Sequence, residues 1–104
     1  MQNTALTEAV YYILLSLVQP MHGYGIMQNV EQLSGGRVKL AAGTLYGAIN
    51  TLLEKSWIAA VAGERDSRKK EYQITQQGRQ VLLAELARLR ELIENGSRIL
   101  EGNG

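Results

Sequence analysis

Apolar residues in this chain recur with two periods, one of about 3.6 residues over most of its length and one of two residues in a short middle segment. The shorter period covers residues 57–62 and 69–74, on either side of a glycine-containing turn, and predicts a β-hairpin. The longer period predicts helices over residues 7–18, 24–33, 42–55 and 76–100. The expected fold class is therefore mainly α-helical with a small β-hairpin.

The third predicted helix has one apolar side and an unusual polar front. Its apolar residues share one side: Leu45, Ile49, Leu52 and Leu53. The other residues of its first two turns are mostly polar or lack a side chain: Thr44, Tyr46, Gly47 and Asn50. Because backbone N–H groups in a first turn have no intrahelical partners, such an end suits a phosphate. We therefore expect a recognition helix in the major groove of DNA, with these four residues facing the duplex.

Two of these side chains allow a second interpretation. The hydroxyl of Tyr46 could contact a phosphate, or its ring could simply pack. Asn50 carries the donor and acceptor that pair with an adenine edge, although a solvated helix asparagine is the alternative.

The second and third predicted helices are joined by a link that contains Gly35-Gly36, a pair that tolerates the left-handed exit of a helix. Such a pair of helices followed by a hairpin is a winged helix-turn-helix, here over residues 1–75. Residues 65–70 of the hairpin hold one acid and four cations: Arg65, Arg68, Lys69 and Lys70. We expect these cations to bind flanking phosphates, with a merely solvated turn as the alternative. His22 is expected to cap the second helix or to contact a phosphate.

The first and last predicted helices have more apolar surface than one small domain can cover. The first is apolar on nearly every side, and the last, the core of a separate segment 76–104, repeats its apolar residues at spacings of four and three. A second copy of the chain is the simplest cover, so we expect a homodimer built on a long C-terminal dimerisation helix. The residues assigned to this interface are Val10, Ile13, Leu14, Leu82, Leu86, Leu89, Ile93 and Leu100.

Three aromatic residues form a candidate effector pocket. Tyr11 and Tyr12 are adjacent, so a helix points them in different directions, and one of them could face a cavity between subunits where a planar ligand stacks. Trp57 could line the same pocket, whereas a core position is the alternative.

Composition excludes several classes of protein. A chain of 104 residues without cysteine has room for one core and no thiolate metal site, and its single histidine has no clustered ligands around it. We therefore expect no metal, no cofactor and no enzyme activity. The apolar run 9–18 is too short to cross a bilayer and follows an acidic residue, which argues against a membrane span or a secretory signal and favours the cytoplasm. A net charge of +1 says little about nucleic acid.

With these residues in place, almost the whole chain resembles the PadR family of transcriptional regulators, in its short form with one C-terminal helix. The motifs that carry the resemblance are His22-Gly23-Tyr24-Gly25-Ile26, Gly43-Thr44-Leu45-Tyr46, Trp57-Ile58 and the run from Arg68 to Gly78. The resemblance implies a dimeric, cytoplasmic, mostly repressive DNA-binding protein, often released by a small aromatic or drug-like molecule. It also implies that Tyr24, Thr44 and Tyr46 face DNA and that residues 65–70 form the wing.

Two positions depart from that family pattern. Gly47 stands where many members have proline, which leaves the first turn less preorganised but lets a phosphate approach more closely. Ser56 stands where a glycine commonly ends the helix, so a left-handed exit there carries strain.

The sequence therefore favours a homodimeric repressor that binds double-stranded DNA at an inverted-repeat operator, with its two recognition helices about 34 Å apart. The alternative is a winged-helix module that docks another protein and does not bind DNA. Molecular mass in solution and DNA affinity discriminate between them, because a monomer that ignores DNA favours the module.

Overall fold

The fold combines four helices with a small antiparallel sheet, seen in a computed structural model that describes residues 5–61 and 70–102. In chain order the elements are α1 (Glu8–Ser16), β1 (Met21–His22), α2 (Gly23–Leu33), α3 (Ala42–Glu54), β2 (Ile58–Val61), β3 (Glu71–Ile74) and α4 (Gln76–Leu100). The prediction of a mainly α-helical winged helix is confirmed, and each predicted helix is found within two residues of its expected bounds.

The sheet contains a strand that periodicity did not predict. Its order is β1-β3-β2, and β1 pairs antiparallel with β3 through Met21 opposite Tyr72 and His22 opposite Glu71. The expected hairpin pairs β2 with β3, in the register Ile58 to Ile74. A two-residue strand is too short to show an alternating pattern, so only the fold reveals that the segment entering α2 forms an edge of the sheet.

The core lies between α1 and the helix-turn-helix. Its fully buried side chains include Leu17, Ile26 and Val30. The C-terminal end of α1 is tied to the sheet, because the Ile74 N–H donates to the carbonyl of the C-cap residue Leu17 at 2.8 Å. Burial of each large aliphatic side chain stabilises the fold by about 1.5–3 kcal/mol. The central position of α1 explains why so short a helix is apolar on most sides.

Three of the predicted dimerisation residues belong to this core instead. Ile13 and Leu14 have no exposed surface, and Leu82 is 8% exposed, so none of them can offer its side chain to a second subunit. The apolar pattern correctly indicates that these positions are buried, but the residues that bury them belong to the same protomer.

Side chains and unusual backbone angles define where the helices begin and end. The side chains of Thr7, His22 and Thr75 accept backbone N–H bonds as N-caps of α1, α2 and α4. Gly35 provides a positive φ after α2, whereas Ser56 adopts a φ of 64° after α3. Within the described residues Ser56 is the one non-glycine residue with a positive φ, which confirms the strained exit expected at this position.

The first turns of α4 pack tightly on the corner between α3 and β2. A Cβ atom on Gly78 would lie 2.1 Å from the carbonyl oxygen of Trp57, so only glycine allows this approach. Beyond these turns α4 projects from the rest of the molecule. The whole molecule, including α4, measures 57 × 32 × 21 Å along its principal axes.

Candidate nucleic-acid interface

The front of α3 is exposed, as the recognition-helix prediction requires. Leu45, Ile49 and Leu52 are at most 2% exposed and fasten the back of the helix to the core. The residues expected to face DNA are all exposed: Thr44, Tyr46, Gly47 and Asn50. The N-cap residue of α3 is Ala41, whose side chain cannot accept a hydrogen bond. The N–H groups in the first turn of α3 therefore have no capping side chain as a partner. This face therefore combines hydrogen-bonding side chains with donor groups suited to a phosphate oxygen.

Tyr46 links α3 to the beginning of α2. Its hydroxyl lies so close to Gly23 that a Cβ atom built on that glycine would be 2.1 Å from the tyrosine oxygen. Tyr46 is nevertheless 45% exposed, and Tyr24, the residue after Gly23, is 63% exposed. The fold thus places both tyrosines on the surface formed by the first turns of α2 and α3. It also shows that the two interpretations of Tyr46 are compatible, because the ring packs and keeps an exposed edge.

A third tyrosine lies behind this surface. Tyr72 of β3 is 7% exposed. Burial raises the pKa of the Tyr72 phenol, and the charge of the neighbouring Tyr46 phenol, once ionised, raises it further.

His22 has the capping role that was one of its two expected functions. Its Nδ1 accepts the Gly25 N–H at 3.2 Å, which fixes the first turn of α2. A phosphate contact of this side chain stays a prediction.

The predicted wing falls mostly on residues that the structure does not describe. Arg65, Arg68 and Lys69 lie outside the described residues, and Lys70, just before β3, is exposed. The phosphate-binding role of these four cations therefore stays a prediction, with β2 and β3 as the strands that carry the segment.

Comparison with known proteins identifies the class of regulator. The profile of the transcriptional regulator PadR-like family matches residues 12–84, which include the second half of α1, the helix-turn-helix, the sheet and the beginning of α4. The chain belongs to the PadR-like family. The members of this family are transcriptional regulators, not enzymes.

Solved structures with a similar fold accompany this family match. A crystal structure of a PadR-family transcriptional regulator from Eggerthella lenta has 26% sequence identity and a TM-score of 0.71, over 90% of this chain and 82% of that one. BpsR from Bordetella bronchiseptica, whose DNA binding is regulated by 6-hydroxynicotinic acid, has the same fold with 19% identity and a TM-score of 0.66, over 99% of this chain and 72% of that one.

A sequence relative of unknown activity is an uncharacterized 37.1 kDa protein of transposon TN4556 from Streptomyces fradiae, which is 36% identical over 76 residues. Those residues are 72% of this chain but only 21% of the relative, so the PadR-like chain spans about a fifth of that protein's length.

A cavity in the described protomer includes one of the three aromatic residues of the predicted effector pocket. A cavity of about 560 Å³ lies between the N-terminus of α1, the C-terminal end of α3 and the first turns of α4. Trp57 lines this cavity, whereas Tyr11 and Tyr12 do not and instead pack edge to face with ring centroids 6.0 Å apart. Leu6, just before α1, and Val10 of α1 line this cavity instead. A pocket between two subunits that includes Tyr11 or Tyr12 stays a prediction.

Two charged residues of the cavity were not predicted as functional. The Lys55 ammonium lies 5.1 Å from the centroid of the Trp57 ring, a cation–π arrangement. Glu85 is 5% exposed, and Arg88 donates to both its carboxylate oxygens, at 2.8 and 2.7 Å. The hydrogen bond from Arg88 is the main reason that the pKa of the Glu85 carboxyl is lowered, although burial opposes it. The sequence contained a signal for this ion pair, since Glu85 lies three residues before an arginine, a spacing at which helical side chains meet. Glu85 also lies seven residues after Gly78 and therefore on the same side of the helix.

Two further classes of site have no support in the described part of the chain. Within residues 5–61 and 70–102, no group of three metal-ligating side chains comes together. None of the described helices is long and apolar enough to span a membrane.

Proposed function

We propose that this PadR-like chain is a cytoplasmic repressor that binds an inverted-repeat operator as a homodimer and is released by a small aromatic or drug-like effector. The observation that supports the proposal best is the division of α3. Its back is held in the core by Leu45 and Ile49, while its polar front is exposed beside the first turn of α2. A helix held in this way can enter a major groove without loss of core packing.

Each exposed residue has a specific role in this proposal. Tyr24, Thr44 and Tyr46 donate to phosphate oxygens and fix the register of the protein on the duplex. Asn50, one turn further along α3, reaches an adenine edge and contributes sequence preference of about 1–3 kcal/mol. The wing cations contact the flanking phosphates without reading sequence.

Dimerisation rests on the distal part of α4. Ile93 is 66% exposed and Leu100 is 85% exposed in the protomer, and Leu86 and Leu89 are half-buried. A two-fold interface on this stripe covers apolar surface that is otherwise in water, and it holds two α3 helices at a fixed separation. A separation of about 34 Å, one turn of B-DNA, corresponds to an operator with two half-sites.

A DNA titration at increasing salt tests the core of the proposal. The full chain is titrated by fluorescence anisotropy against a duplex that it selects from a random-sequence pool, and its mass is measured by sedimentation. We expect a dimer whose affinity falls steeply with salt. A monomer that selects no duplex even at low salt contradicts the proposal and favours the protein-docking module.

The wing is tested by charge removal. Replacing Arg68, Lys69 and Lys70 by alanine should reduce the slope of log affinity against log salt by up to about three units, because each cation neutralises about one phosphate. The control replaces three arginines of α4, Arg79, Arg90 and Arg98, which removes the same charge away from the recognition face. Equal slopes for the two variants contradict a wing contact.

The effector part of the proposal is placed in the cavity beside Trp57. A ligand there would contact the C-terminal end of α3 and the first turns of α4 at once, so it can change the angle between the recognition helix and the dimerisation helix. The regulation of BpsR by a small aromatic acid supports this kind of control in a protein of the same fold.

Trp57 is the single tryptophan of the chain, so intrinsic fluorescence reports directly on the cavity. Flat aromatic acids and cations are titrated while emission, thermal stability and DNA affinity are recorded. An effector should quench the emission, raise the melting temperature and weaken DNA binding together. A compound set that changes none of the three contradicts this cavity as an effector site.

A further inference from the structure

We infer that Gly23 is a positioning residue for Tyr46 and that its lack of a side chain sets the direction of the Tyr46 phenol on the DNA-facing surface. The inference rests on the proposed role of Tyr46 in DNA binding and adds a residue that makes no contact with DNA itself. Gly23 is the first residue of α2 and is buried, whereas Tyr46 belongs to the first turns of α3.

The space that a side chain would need at Gly23 is filled by the tyrosine ring. A Cβ atom built on this glycine would lie 2.1 Å from the Tyr46 oxygen, 2.6 Å from Cζ and 3.2 Å from Cε1. Carbon atoms that are not bonded approach favourably only to about 3.5–4.0 Å. Tyr46 in its present rotamer is therefore incompatible with any other residue at position 23.

Backbone conformation does not explain this glycine. Among the described glycines the positive φ values belong to Gly35 and Gly36, so Gly23 adopts a helical conformation that alanine also favours. Its position directly after the N-cap His22 places no restriction of its own on the side chain. The contact with Tyr46 is thus the specific requirement for glycine at this position.

Neighbouring glycines lack such a contact. A Cβ atom on Gly25 would meet His22 Cε1 at 3.6 Å, an ordinary van der Waals distance. On α3, a Cβ atom added to Gly43 or to Gly47 would meet nothing within 4 Å. The close approach of Tyr46 is therefore a specific feature of position 23 and not of the whole glycine-containing segment.

This contact gives Tyr46 a fixed direction. The ring packs across the first turn of α2 and still exposes 45% of its surface, so its hydroxyl is held at the junction of the two helices that form the helix-turn-helix. A group held in advance loses less conformational entropy when it binds. Alanine at position 23 should push the ring away, since a tyrosine side chain can rotate whereas the helix backbone cannot.

The test compares Gly23→Ala with Gly25→Ala on the full-length protein, with the duplex that the wild type selects from a random-sequence pool as the probe. We expect Gly23→Ala to weaken binding at least about tenfold, the loss of one charge-assisted hydrogen bond, while its melting temperature is unchanged or higher. Gly25→Ala should bind as the wild type does. In the double variant Gly23→Ala/Tyr46→Ala, binding should be no weaker than in Tyr46→Ala alone.

A second measurement separates this inference from the proposed function. With labelled tyrosine rings, nuclear Overhauser effects between the Gly23 Hα and Tyr46 Hε protons should be present in the wild type and absent in Gly23→Ala, with or without DNA. If Gly23→Ala is poorly folded, removal of the ring in the double variant should restore its stability, because the conflict is steric.

Any one of three outcomes overturns the inference. The first is the absence of the nuclear Overhauser effect between Gly23 and Tyr46 in the wild type. The others are a DNA affinity of Gly23→Ala equal to that of the wild type, and a folding defect of Gly23→Ala that Tyr46→Ala does not relieve. A wild type that selects no duplex overturns the proposed function instead, while the spectra still decide whether Gly23 positions Tyr46.

Discussion

The two halves of α4 share one helix and one pattern of apolar residues, yet their surroundings are opposite. In the proximal half, residues 76–88, Gly78, Leu82 and Glu85 are buried against the rest of the protomer. In the distal half, residues 89–100, Ile93 and Leu100 expose most of their surface. An amphipathic pattern thus shows that one face of a helix is apolar, but it does not show what packs against that face.

The proximal half is fixed by its main chain as well as by its side chains. The Thr75 hydroxyl donates to the Ser56 carbonyl at 2.7 Å and accepts the Gly78 N–H at 3.0 Å. The Thr75 N–H donates to the Trp57 carbonyl at 2.9 Å. The distal half has no equivalent anchor among the described residues beyond its own helix.

The largest effect is expected where the proximal half approaches the corner of the domain. Gly78→Ala places a Cβ atom 2.1 Å from the Trp57 carbonyl oxygen and 2.8 Å from Ile74 Cγ1, and a backbone atom cannot rotate away. We expect the free energy of unfolding to fall by about 3 kcal/mol or more, measured by urea denaturation.

The matched control uses a glycine of the distal half. Gly96→Ala meets nothing within 4 Å in the protomer and should raise stability by about 0.5–1 kcal/mol through helix propensity. The control is measured in a chain that also carries Ile93→Lys, so that packing between subunits does not contribute. Similar changes in the free energy of unfolding for Gly78→Ala and Gly96→Ala would contradict this contrast, because they would show that the two halves of α4 are equally free of contacts within the protomer.

The second effect concerns association in place of folding. Ile93→Lys removes an apolar side chain that is 66% exposed in the protomer and that we propose to be covered by the second subunit. Because a two-fold interface contains the substitution twice, the dissociation constant of the dimer should rise about a hundredfold or more. Sedimentation equilibrium measures this change, and DNA affinity should fall with it.

Ala87→Lys adds the same charge at an exposed position outside the apolar repeat, and its dimer should be as stable as the wild type. An unchanged dissociation constant in Ile93→Lys would show that this side chain does not lie in the dimer interface.

Sequence reasoning succeeded where a long local pattern decides the structure. The bounds of α4 were predicted because its apolar residues repeat at the same spacing along the helix. The exposed front of α3 followed from the spacing of Leu45 and Ile49 alone. Both features are local, so no knowledge of the neighbouring elements was needed.

Prediction from the sequence was wrong or incomplete where contacts with residues distant in the chain determine the structure. Ile13, Leu14 and Leu82 were assigned to a dimer because their patterns are indistinguishable from those of a subunit interface. The requirement for glycine at positions 23 and 78 depends on contacts with residues distant in sequence, and β1 depends on pairing with β3. Periodicity carries no information about such contacts, so these features emerge only from the three-dimensional fold.

A smaller effect, dependent on pH, is expected from the ion pair of the proximal half. The folded state lowers the pKa of Glu85 through Arg88, so the pair contributes stability above the pKa of the unfolded carboxyl and loses it as the pH falls through the lower folded value. Glu85→Gln should therefore melt at a lower temperature than the wild type at pH 7, and the two melting curves should converge in acid.

The matched control is Glu91→Gln, an exposed position on the same helix, which should show little difference at either pH. A difference for Glu85→Gln that persists unchanged in strong acid would assign the effect to packing rather than to the charge.

The smallest effect is expected at the residue that connects α3 to the anchor of α4. Ser56 ends α3 with a φ of 64°, while its N–H donates to the Leu53 carbonyl and the Trp57 N–H donates to the Leu52 carbonyl, both at 3.0 Å. This is a Schellman arrangement, in which glycine avoids the strain of a Cβ atom. Ser56→Gly should raise the free energy of unfolding by about 0.5–1 kcal/mol, less than the full strain because glycine also gives the unfolded chain more freedom. Ser56→Ala keeps the Cβ atom and should show no gain in urea denaturation, so an equal gain for both variants would assign the effect to the hydroxyl and leave the proximal anchor unstrained.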